Sequence, residues 1–161
     1  MLECFALKFY PLCVNLNGAK VVVIGAGRVA ERKLKGLLDA GARPLVVAPQ
    51  ITPRIAGWAH HRQLRWTKRA FRDSDINGAK FVIAATDDAE LNARIAQLAM
   101  RRKILVNAAT GRATGDVILP AVARRGSLTI AISTGGRSPG LARRWREKIE
   151  QHFKIRTGHD D

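Results

Sequence analysis

Short apolar runs alternate with longer amphipathic stretches over most of the chain, which predicts a parallel sheet with helices on its faces. Lys20–Ile24 (KVVVI) is a short continuous apolar run rich in Val and Ile, as a strand covered on both sides requires. Ala30, Leu34, Leu37 and Leu38 then recur at helical spacing among Glu31, Arg32, Lys33, Lys35 and Asp39, and Gly41 supplies a stop. Leu45–Val47 reads as a second strand, Ile51–His60 as holding a short helix that begins near Pro53, and Leu64–Thr67 as a third strand. Phe81–Ala85 is the fourth. Asp87, with Glu90 three residues on, has the pattern of a capping box ahead of a helix striped by Leu91, Ile95, Leu98 and Ala99. Ile104–Asn107 is the fifth strand, and the sum is a doubly wound α/β unit.

The rhythm then breaks. Val117–Val122 and Leu128–Ser133 are close enough to pair as a hairpin across residues 123–127. Ser138-Pro139 opens a last helix that places Leu141, Trp145 and Ile149 on one face. The expected division is residues 1–112 for the α/β unit and 113–161 for the hairpin and helix.

With 161 residues the chain can bury one ordinary core, and no apolar run is long enough to span a bilayer. Its 28 Lys and Arg against 13 Asp and Glu leave a formal charge of +15, which favours an anionic partner. No alternation of aromatic and basic residues points to specific nucleic-acid recognition. Cys4 and Cys13 are too few for a disulfide framework, and no Cys/His spacing has the form of a zinc site, so no metal is expected. The opening residues carry an early Glu3 and no basic start ahead of a long apolar stretch. They do not read as a signal peptide, and the cytoplasm is the expected location.

Gly25-Ala26-Gly27-Arg28-Val29-Ala30 is a G-x-G-x-x-A turn between a buried strand and a helix. Gly25 permits the tight turn, Gly27 lets the backbone approach a pyrophosphate, and Ala30 lets helix and strand pack closely. The free N–H groups at the helix start then face the phosphates, which is the arrangement of a Rossmann-type dinucleotide site. At the end of the second strand, where an acid for the adenosine ribose is common, the chain has Ala48-Pro49-Gln50. Gln50 can bond a ribose through its amide or be a plain loop residue, and NAD versus NADP stays open on this ground. Thr86 and Asp87 lie at the carboxyl end of the fourth strand, where such sheets bind ligands, and small Ala84 and Ala85 leave room for a nicotinamide ribose.

VVVIGAGRVAERK, AATDDAELN, ILVNA and ILPAVARRGSLTIAISTGGRSPGLAR, in that order, resemble the precorrin-2 dehydrogenase family, which includes the amino-terminal module of siroheme synthase. Phe9-Tyr10-Pro11-Leu12 and AISTGGRSP carry the resemblance more specifically than the glycine turn does. It implies NAD-dependent oxidation of precorrin-2 to sirohydrochlorin, with ferrous iron insertion in some members, and a homodimer built through the hairpin and last helix. Arg28, Val29, Pro49 and Gln50 match the family's cofactor positions; Ser133 and Thr134 match its paired hydroxyls beside the tetrapyrrole cleft, near Asn107. Arg124, Arg125, Arg137, Arg143 and Arg144 are candidate partners for the substrate's carboxylates. One position departs. Where the family has an Asp three residues after the fifth-strand Asn, this chain has Thr110, a poor base at neutral pH, and Asp116 is the second candidate proton acceptor. The same change weighs against iron insertion. The alternatives are a weakened relative that binds NAD or a tetrapyrrole without turnover, a nucleotide-sensing domain, and nonspecific nucleic-acid binding by the basic surface.

Overall fold

Every residue of Val21–Ile24 is buried because successive side chains of this first strand (β1) point into two different cores. Val21 and Val23 pack with Ala30, Leu34, Leu37 and Ile55, whereas Val22 and Ile24 pack with Ile95, Ala96, Leu98 and Ala99. A computed structural model describes residues 9–109 and 115–153. Thr110 lies outside the described residues. The described chain forms two compact units, Leu12–Val117 and residues 9–11 with 118–153.

In the larger unit β1 is followed by α1 (Arg28–Asp39), β2 (Leu45–Val47), α2 (Pro53–His60), β3 (Arg65–Thr67), a 3-10 turn (Asp73–Ile76), β4 (Phe81–Ala84), α3 (Ala89–Arg101) and β5 (Leu105–Ala108). The strands are parallel in the order β3-β2-β1-β4-β5, so chain direction across the sheet reverses between β1 and β4. This is the Rossmann-type doubly wound sheet that the apolar pattern predicts. Helices α1 and α2 cover one face; α3 and the 3-10 turn cover the other. Gly41, at φ +75°, sits just past α1, where its N–H closes onto Leu38 O.

Two local expectations need correction. The cap of α3 is Asp88 rather than Asp87: its Oδ1 accepts from Glu90 N at 2.9 Å and Leu91 N at 3.0 Å, because the Thr86 turn carries the chain one residue further before the helix begins. The 3-10 turn at Asp73–Ile76 has no counterpart in the sequence reading.

The smaller unit holds an antiparallel hairpin of β6 (Ala121–Arg125) and β7 (Leu128–Ile132), followed by α4 (Pro139–His152), which packs against it. The hairpin starts later than expected because Pro120 has no N–H to donate to a ladder. It also turns more tightly, at Gly126-Ser127 with Gly126 at φ +55°, so Arg124 and Arg125 belong to the strand and not to a loop. Ser138 caps α4 by accepting from Leu141 N at 3.3 Å. The buried residues of α4 are Ala142 and Glu150, whereas Leu141 and Trp145 are exposed, Trp145 to 51%. Among the described residues no helix is long and apolar enough to cross a membrane.

One polar tie crosses the sheet edge. Lys33 Nζ, from α1, donates to Asn107 Oδ1 at 2.6 Å, and Asn107 Nδ2 donates to Val117 O at 2.7 Å. Burial, and then the nearby Arg32, lower the Lys33 pKa from 10.5 to about 8. The native chain therefore releases this proton near pH 8 while the unfolded chain keeps it to about 10.5. The Lys33 contribution to stability rises with pH across that window. Urea unfolding of wild type and Lys33→Met across the window should show the wild type gaining on the variant as pH increases; parallel curves would contradict the assignment. Leu34, fully buried beneath α1, should cost about 2–5 kcal/mol on replacement by Ala, read from the shift of the urea midpoint.

Candidate dinucleotide site

A cleft of about 560 Å³ opens at the carboxyl ends of the strands of the larger unit. It lies where β1 gives way to α1, with β2 and β4 on either side, the place where chain direction reverses and ligands bind in open α/β sheets. Ligand pockets of small molecules commonly have a volume of this order, roughly 300–1,000 Å³.

The glycine turn shapes its floor. Gly25 has φ +92°, and a Cβ there would overlap the carbonyl oxygen of Ala85, so no side chain fits. The backbone holds the contact from both sides: Gly25 N donates to Val47 O at 3.0 Å and Ala85 N to Ile24 O at 2.8 Å. Gly27 is different. Its backbone is extended and a Cβ would meet nothing within 4 Å, so what its bareness leaves open is the cleft itself. Gly27 is also the N-cap of α1 and provides no side-chain cap, whereas Thr52, Asp88 and Ser138 cap α2, α3 and α4. Among the described residues the first-turn N–H groups of α1 thus have no side-chain acceptor, and a phosphate suits them in charge and in geometry.

Of the residues expected at the cofactor, Gly25, Gly27, Pro49, Gln50, Thr86 and Asp87 line the cleft. Arg28 and Val29 form the exposed first turn of α1 outside that lining, and Ala30 is fully buried beneath the helix, in the packing role its size allows. Thr86 is held by Asn92, which is 1% exposed: Thr86 N and Oγ1 each donate to Asn92 Oδ1 at 2.9 Å, and Asn92 Nδ2 donates to Thr86 O at 2.9 Å. Sequence reasoning missed Asn92, although a carboxamide inside the apolar stripe of α3 was the available signal.

Several wall residues were also missed. Ile51, Thr52, Ala70, Phe71 and Leu91 join the lining. Behind Thr52 stands a carboxylate, since Thr52 Oγ1 donates to Glu31 Oε2 at 2.6 Å and Arg54 approaches Glu31 at 3.6 Å. The wall at Ala48 is braced by Trp66, whose Nε1 donates to Ala48 O at 2.9 Å.

The residues expected at the tetrapyrrole divide between the units. Asn107 and the exposed Asp116 belong to the larger unit, and the Asn107 carboxamide is already engaged at both ends, by Lys33 and by Val117 O. Ser133, Thr134, Arg124, Arg125, Arg137, Arg143 and Arg144 belong to the smaller one. There Ser133 Oγ accepts from Gly135 N at 3.1 Å and Thr134 Oγ1 from Ser138 N at 3.0 Å, so both hydroxyls shape the turn into α4. Arg124, Arg137 and Arg144 are exposed; Arg125 donates to Phe153 O at 2.6 Å and Arg143 pairs with Glu147 at 2.7 Å.

Comparison with known proteins agrees with this geometry. Residues 12–121 match a family model of NAD(P)-binding proteins, and residues 125–152 match the model of the central part of the sirohaem biosynthesis protein. Siroheme synthase of Pseudomonas fluorescens (strain SBW25) is 42% identical over 144 residues, which is 89% of this chain and 31% of the relative. Siroheme synthase of Xylella fastidiosa (strain M12) is 41% identical over 146 residues, again 31% of its length, so the chain spans about a third of these relatives. The solved structure of SirC, a precorrin-2 dehydrogenase, superposes with a TM-score of 0.78 at 34% identity, covering 89% of this chain and 71% of that one. With more than half of its length matched by the NAD(P)-binding model, and with SirC similar over most of both chains, this chain belongs to the NAD(P)-binding family of siroheme biosynthesis that contains precorrin-2 dehydrogenase.

Proposed function

We propose that the chain oxidises precorrin-2 to sirohydrochlorin with NAD. The observation that carries this reading is the cleft at the β1–α1 turn, in a chain similar over most of its length to a precorrin-2 dehydrogenase. NAD, when bound, supplies the acceptor for the substrate's hydride. The Gly27 turn and the first N–H groups of α1 receive the pyrophosphate. Pro49 and Gln50 take the adenosine side, and Thr86, fixed by Asn92, takes the nicotinamide side with Asp87. Small Ala85 keeps that end of the cleft open. Holding donor and acceptor in register is itself worth a large part of such a barrier.

The substrate is a polyanion, and exposed Arg124, Arg137 and Arg144 offer charge-assisted hydrogen bonds to its carboxylates. The overall charge of +15 draws such a ligand in. Asp116, exposed at the end of the loop after β5, is the carboxylate available for the proton released with the hydride. Leu128 on the hairpin and Leu141 and Trp145 on α4 are exposed apolar side chains, which supports a homodimer through this arm. The cytoplasm suits a reduced substrate and a soluble cofactor.

Gly27→Trp tests the cofactor site. A Cβ at this position meets nothing within 4 Å, so the thermal midpoint should stay near wild type while NAD binding by calorimetry disappears; unchanged affinity would refute the site. Anaerobic incubation of wild type with precorrin-2 and NAD should give sirohydrochlorin absorbance. Thr110→Asp is expected to raise that turnover at least ~10-fold by supplying a better base. Binding of both ligands with no product in either protein would select a binding function instead.

A further inference from the structure

The segment between β3 and the 3-10 turn is short, lies on the rim of the sheet, and would be expected to be mobile. Instead it is tied by an ion pair between a buried carboxylate and a half-buried guanidinium. Asp75 is 8% exposed, and its two oxygens accept from Arg69 Nη2 at 2.5 Å and Nη1 at 2.9 Å. Arg69 Nη1 also donates to Ala70 O at 2.9 Å, and Arg72 N donates to Asp75 Oδ2 at 2.8 Å. The backbone closes the loop, with Asp75 N on Arg72 O at 2.9 Å and Arg69 N on Thr67 O at 3.0 Å. These bonds bracket Ala70 and Phe71 on both sides.

Ala70 and Phe71 are the two residues of that segment that line the nucleotide cleft. Phe71 is half-buried, packed with Leu91 against the core beneath α3, and Ile51 from the β2 side belongs to the same lining. These three side chains, from the segments after β2 and β3 and from the first turn of α3, give the cleft an apolar part of its lining, distinct from the glycine turn with its bare N–H groups. A dinucleotide has one large apolar-faced ring that needs no charge, its adenine, and an aromatic side chain is a fitting surface for it.

We propose that Phe71, with Ile51 and Leu91, seats the adenine ring of the cofactor, and that the Asp75–Arg69 pair is the positioning device that holds Phe71 in place. The inference rests on the reading of the cleft as a dinucleotide site. A buried carboxylate is retained here because it specifies one loop conformation: it joins a guanidinium on one side of Phe71 to a backbone N–H on the other. The Arg69 hydrogen bonds hold its carboxyl below the usual Asp range, so the pair stays charged through neutral pH.

The test separates the adenine end from the rest. NAD, adenosine monophosphate and nicotinamide mononucleotide are titrated calorimetrically into the full chain as wild type, Phe71→Ala and Asp75→Asn, with thermal midpoints recorded alongside. Phe71→Ala should weaken NAD and adenosine monophosphate about 10-fold, equivalent to about 1.4 kcal/mol, and leave nicotinamide mononucleotide within about two-fold of wild type. Asp75→Asn should do the same through loss of the clamp. Should it fold poorly, Arg69→Lys, which keeps the charge and loses the fork, is the substitute with the same expected pattern. Equal weakening of all three ligands, or a lower thermal midpoint with unchanged NAD affinity, would make the pair a purely structural tie and overturn the proposal. Wild type that takes up none of the three would instead overturn the dinucleotide reading, and the inference with it.

Discussion

Where β1 leaves the sheet, the backbone of Gly25 passes so near the carbonyl of Ala85 that one additional carbon would overlap it. The two parallel strands on either side of the reversal, β1 and β4, are thereby drawn together at their carboxyl ends, and much else takes its place from that closeness. The start of α1, the bare position of Gly27, and the turn at Thr86 all emerge from the same few peptides. Fully buried Val22, Val23, Val82 and Ile83 hold the contact from below. A cleft formed this way is a property of the backbone, which explains why its lining contains so few charged side chains.

The strands and helices of the larger unit were legible because both signals, β-branched runs and the 3.6-residue stripe, come from burial and burial is nearly complete there. Val21–Ile24 and Phe81–Ala84 are buried at every position, and their boundaries move by no more than one residue. The smaller unit was harder to read. Its hairpin is covered on one face only, Leu128 and Trp145 look outward, and a proline decides where pairing can begin. The cofactor turn was legible because glycine there has a steric reason. Asn92, Asp75 and Arg69 were not, since each works through a hydrogen bond to a residue several positions away in a turn whose shape sequence spacing does not encode. Asp88 in place of Asp87 as the cap of α3 belongs with them: the Thr86–Asn92 bonds set where the helix starts.

The two family models divide the chain nearly where its compact units do. One covers residues 12–121 and the other 125–152, and the units part after Val117, shortly before β6 begins. The division is also chemical. The larger unit has an almost continuous apolar interior and a cleft with Asp87 as its one charged lining residue among those described, whereas the hairpin and α4 bury little beyond Ala123, Ala142 and Glu150 and carry a dense set of arginines.

The two-ended grip on Asn107 narrows what can stand at that position. Its oxygen faces a lysine and its nitrogen faces a carbonyl, so the side chain must accept on one side and donate on the other. A carboxylate of the same shape would please the lysine yet turn a second acceptor toward Val117 O, and an isosteric hydrocarbon would leave both neighbours unpaired. The terminus of β5 is in this sense a polarity filter, readable by a chemist as one that admits only a carboxamide.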